Sequence, residues 1–100
     1  MSSFLRSFAV TTQHFELDSA AFLWALALRA ETEPVVAADL LSTIETLIPL
    51  LARTDRAVTD DLRAQSDRLD LSVHGGYGDP KRVTQSVGRE VRRILARLEA

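Results

Sequence analysis

The sequence predicts an all-α fold, a small antiparallel bundle of four to five helices. Three observations carry that expectation. Behind Asp79-Pro80, the residues Val83, Val87, Val91, Ile94, Leu95 and Leu98 recur at helical spacing and make one continuous apolar face. Val36, Leu40, Ile44, Leu47, Ile48 and Leu51 form a second such stripe in the middle of the chain, widened by Val35, Leu41 and Leu50. The third is composition: 100 residues, 46% apolar and 26% charged, with 4 Gly, 3 Pro and no Cys. These totals fit one ordinary domain and exclude collagen, a disordered tail and a disulfide scaffold. The expected organisation is a single helical domain over 1–100, with 1–17 as an arm and 71–79 as a Gly-rich loop.

In chain order, Phe4, Phe8 and Phe15 stand at helical spacing, which favours a helix over 3–14. Asp18 then suits an N-cap, because its carboxylate can accept from free N–H groups of the next turn. A helix over 18–30 follows. Its Phe22, Leu23, Trp24, Leu26 and Leu28, with Ala between them, point in every direction around the axis. Such a helix is central, or a partner covers one side. Pro34 fits the first turn of the next helix, where its missing N–H is no loss. Pro49 lies inside that helix and predicts a kink or break near Leu47–Ile48.

A third helix is expected over 55–69, with a narrow apolar edge of Val58, Leu62 and Leu69. Charged residues cover its remaining surface, with Arg56/Asp60 and Arg63/Asp67 as i,i+4 pairs. The last helix starts at the Asp79 cap with Pro80 as its first residue. Gly88 inside it marks a place where a neighbouring backbone comes close. An α+β alternative pairs residues 8–12 with 69–73 as two short strands, since both stretches carry strand-favouring types.

Charge and composition limit the function classes. The net charge is -2, which argues against a protein whose main partner is duplex DNA. The charge is uneven: 1–78 carry 6 basic and 11 acidic residues, whereas 79–100 carry 6 basic and 3 acidic. The absence of Cys removes thiolate catalysis and Cys-ligated metals and fits a cytoplasmic, reducing compartment. Lys81 is the only Lys, and Ala and Leu abound, a bias typical of GC-rich bacteria and their phages. The longest unbroken apolar run, Ala20 to Leu28, falls short of the ~20 residues a membrane span needs. No span is therefore expected.

Candidate sites follow from local pattern. Gly75, Gly76 and Gly78 lead into a helix whose first turn holds Lys81 and Arg82, a candidate anion or nucleotide site. The helix dipole disfavours cations there, and a bound anion would offset that. Asp79 opposes it by filling the cap, and the pattern is not a P-loop. His14 and His74 are the only histidines and have neither metal-ligand spacing nor a recognisable nucleophile. No catalytic residue, metal or cofactor is expected.

Arg89, Arg92, Arg93 and Arg97 make a candidate electrostatic rim, and a nucleic-acid-associated regulator is one alternative reading. Pairing with acidic residues of the third helix competes with it. The strongest signal is the apolar surplus in 20–52, where 22 of 33 residues are apolar. A small domain hides such a surplus poorly. The expectation is a non-enzymatic interaction or assembly module, homo-oligomeric or bound to another protein. Its candidate interface is Phe22, Trp24, Leu26, Leu40, Leu41, Ile44 and Leu47.

Overall fold

The computed structural model describes residues 20–52 and 55–98. Among these residues the protein is all-helical, with four α-helices, one 3-10 turn and no strand. The expected helix over 3–14, the alternative strand 8–12, the Asp18 cap and the 1–17 arm lie outside the described residues.

The first helix, α1, is described over Ala20–Ala30. Leu23, Leu26, Ala27 and Ala30 turn inward and are buried, Trp24 is half-buried, and Ala21, Phe22, Ala25, Leu28 and Arg29 are exposed. Among the described residues the helix is thus covered on one side only. Glu33 N–H donates to Arg29 O at 2.7 Å, and Pro34–Val36 forms the 3-10 turn. Helix α2, Ala37–Leu51, follows directly and buries Leu40, Leu41, Ile44, Leu47, Ile48 and Leu51.

Of the expected kink or break at Pro49, the break does not occur: α2 runs through it to Leu51. It sits in the last turn, on the exposed side. The carbonyl left without a donor, that of Glu45, is also on the exposed side, where water can satisfy it. The premise that no segment is long and apolar enough to span a membrane also needs correcting. Pro34–Leu51 is helical, long and apolar enough to cross a membrane by length and composition. Counting unbroken apolar runs missed it, because Asp39 and Glu45 interrupt the run without interrupting the helix. Here its inner face is used as core: Leu40 and Ile44 are fully buried.

Helix α3, Arg56–Val73, is capped by Asp55, whose Oδ1 accepts from Val58 N–H at 3.0 Å. Val58, Thr59, Leu62, Ser66, Leu69 and Ser72 are its buried edge. The helix runs past the expected end at 69, so residues 69–73 are helical and the strand pairing with 8–12 does not form. Leu69 and Ser72, three apart, both face inward, which is helical rather than alternating order. The chain then stops at the glycines: Gly76 and Gly78 have φ of 70° and 76°, the left-handed region that glycine enters without strain. The Gly-rich loop is accordingly shorter than the expected 71–79, covering 74–79.

Helix α4, Pro80–Ala96, begins as the sequence indicates. Asp79 Oδ1 accepts from Lys81 N–H at 3.1 Å, and Thr84 Oγ1 donates to Pro80 O at 2.7 Å. Val87, Gly88, Val91, Ile94 and Leu95 are buried, with Val83 and Leu98 packed beside them. α3 packs against both α2 and α4. Gly88 is the contact point between α4 and α1. A Cβ added there would lie 2.5 Å from Ala27 O and 3.1 Å from Ala30 Cβ.

Two stability predictions follow. In an ordinary helix interior Gly→Ala gains up to about 1 kcal/mol. Here Gly88→Ala drives a methyl into a backbone carbonyl and should instead cost about 1–3 kcal/mol, the range for overpacking, read as a lower Tm. Asp55→Ala should cost about 1 kcal/mol through loss of the α3 cap, read by urea denaturation.

Candidate interaction surface

The side chains that make α1 distinctive divide by one rotation of the helix. Ala21, Ala25 and Leu28 recur at i, i+4 and i+7 and share one side, and Phe22 stands at the edge of the exposed arc, about 120° around the axis from Leu28. Phe22 is 61% exposed and Leu28 49%. The two alanines between them keep that side low. Arg29 and Glu33 bound it, paired at 2.8 Å.

The sequence-predicted interface is therefore split. Phe22 lies on the exposed side and Trp24 at the margin of the core. Leu26, Leu40, Leu41, Ile44 and Leu47 are buried in the core of the chain itself, against its own helices. Ala21, Ala25 and Leu28 were not singled out in the sequence. The signal that marks them is their i, i+4, i+7 spacing beside Phe22, readable once the buried side of α1 is known.

The arginines are not a free cationic stripe. Arg92 bonds to Glu31 Oε2, and its guanidinium carbon lies 5.2 Å from the centre of the Trp24 ring. Arg89 Nε approaches Glu31 Oε1 at 3.7 Å, so one carboxylate serves two guanidiniums. The Arg92 Nε is buried without a hydrogen-bond partner. The Glu31 bond and the Trp24 ring, not this nitrogen, hold the Arg92 side chain in place. Arg97 reaches Asp61 on α3 at 2.6 Å, and Arg93 reaches Glu90 at 3.5 Å. Asp61, Gln65, Glu90, Arg93, Ile94 and Arg97 line a charged groove between α3 and α4. On α3 itself, Arg63 approaches Asp60 at 3.6 Å rather than Asp67.

At the loop, Gly75, Gly76, Gly78, Lys81 and Arg82 are all exposed. The α4 N-terminus they surround is occupied by the Asp79 carboxylate, whose second oxygen lies 3.9 Å from Arg82 Nε. A cation at the first turn is thus set against an acidic cap. Gly75 has its own structural reason: a Cβ there would meet Leu71 O at 2.7 Å and the Tyr77 ring at 2.9 Å.

His74 has a carboxylate partner that the sequence reading missed. Its Nδ1 lies 2.6 Å from Asp70 Oδ1, one turn back, with both side chains exposed. The i,i+4 spacing carried that signal, but only for a helix extending to 73. His14 lies outside the described residues. Among the described residues no group of three or more His, Asp or Glu is placed to hold a metal ion. No family model matches the chain, and no curated protein or solved structure matches it.

The cluster around Glu31 makes a separable prediction. Glu31→Ala should destabilise by on the order of 1–3 kcal/mol, as expected for lost hydrogen bonds to a charged group. Arg93→Ala, at an exposed pair, should leave Tm within error. Thermal melts of the two variants side by side check the contrast, and equal effects contradict it.

Proposed function

We propose that the chain is a non-enzymatic protein–protein interaction or assembly module, a small subunit, adaptor or regulator. It acts through the outer side of α1. One observation carries this reading: Phe22 and Leu28 stand exposed at the two edges of an outward arc that also holds Ala21 and Ala25, whereas most other large aliphatic residues among the described residues are buried. Covering one such side chain fully is worth about 1.5–3 kcal/mol, so a partner that covers both has a usable driving force. The alanines let a second helix approach closely, the helix-in-groove mode of recognition.

The partner is a protein, either a second copy or another chain. The rim of Arg89, Arg92, Arg93 and Arg97 selects among partners by charge, with Arg93 and Arg89 the most exposed of these four. The proposal takes the helices as an antiparallel bundle, which the short connection 74–79 supports. It places the protein in a bacterial or phage-infected cytoplasm, consistent with its composition.

A second reading rests on the exposed Lys81, Arg82, Arg89 and Arg93 of α4, a basic face for nucleic acid. The carboxylates beside Arg82, Arg89 and Arg93 weaken it. Binding of anions at the loop is weakened in the same way by Asp79.

Sedimentation across a concentration series tests the main reading. Wild type should show a species above 11.1 kDa that Phe22→Ser/Leu28→Ser removes, with Tm unchanged. A chain that stays monomeric to ~1 mM, equivalent to about 4 kcal/mol of association, overturns self-association and leaves another chain as the partner, and a double variant that is no more soluble overturns the surface itself. A mobility-shift assay at low salt separates the second reading. The interaction reading expects no shift, and a salt-sensitive shift lost in Arg89→Ala/Arg93→Ala would favour nucleic acid instead.

A further inference from the structure

We draw no further inference here: the strongest candidate, the outward apolar side of α1 around Phe22 and Leu28, belongs to the interaction surface already described, and nothing in the structure shows what covers it.

Discussion

The backbones of α4 and α1 approach closely at Gly88, where a Cβ would lie 2.5 Å from Ala27 O. Because Gly88 has no side chain, the carbonyl of Ala27 and the methyl of Ala30 can rest on α4. That contact fixes which side of α1 faces inward. Leu23, Leu26, Ala27 and Ala30 then bury, and Phe22, Ala25 and Leu28 are carried outward by the geometry of the helix. A larger residue at position 88 would push α1 away or roll it, and the exposed side would change with it.

The polar contacts reinforce the same placement. Trp24 at the margin of α1, and Glu31 just beyond its end, both meet Arg92 on α4. These contacts lie beside the Gly88 approach and resist rotation of α1 about it. They also remove Arg92 from the pool of free cations. The net result is a C-terminal helix whose basic charge is used largely inside the domain. The functional reading therefore rests on the exposed apolar residues of α1.

How much of this was legible in the sequence depended on whether the deciding contact was local. The α4 start was legible because Asp79, Pro80 and Thr84 act within one turn. The close approach at Gly88 was legible as a type of contact, though not as a contact with Ala27. The end of α3 was not. Leu71 and Val73 alternate like a strand, and only the inward packing of Leu69 and Ser72 decides for helix. The Glu31–Arg92 bond joins residues 61 apart, and no spacing rule announces it. The interface list erred for a related reason. Leu40, Leu41, Ile44 and Leu47 form an apolar stripe, but a stripe alone does not say whether it meets its own chain or another. Here α2 packs against α3, so the stripe is core.

The central claim is that α1 presents Phe22 and Leu28 outward and that association covers them. The chain has no cysteine, so single thiols can report on each position without background. The most direct measurement is the thiol-labelling rate of Phe22→Cys, Leu28→Cys, Leu23→Cys and Ala27→Cys across protein concentration. The account predicts fast labelling at 22 and 28 in dilute protein, slowing as concentration rises, and slow labelling at 23 and 27 throughout. Equal rates at all four positions, or rates at 22 and 28 that do not change with concentration or with an added partner, would contradict it.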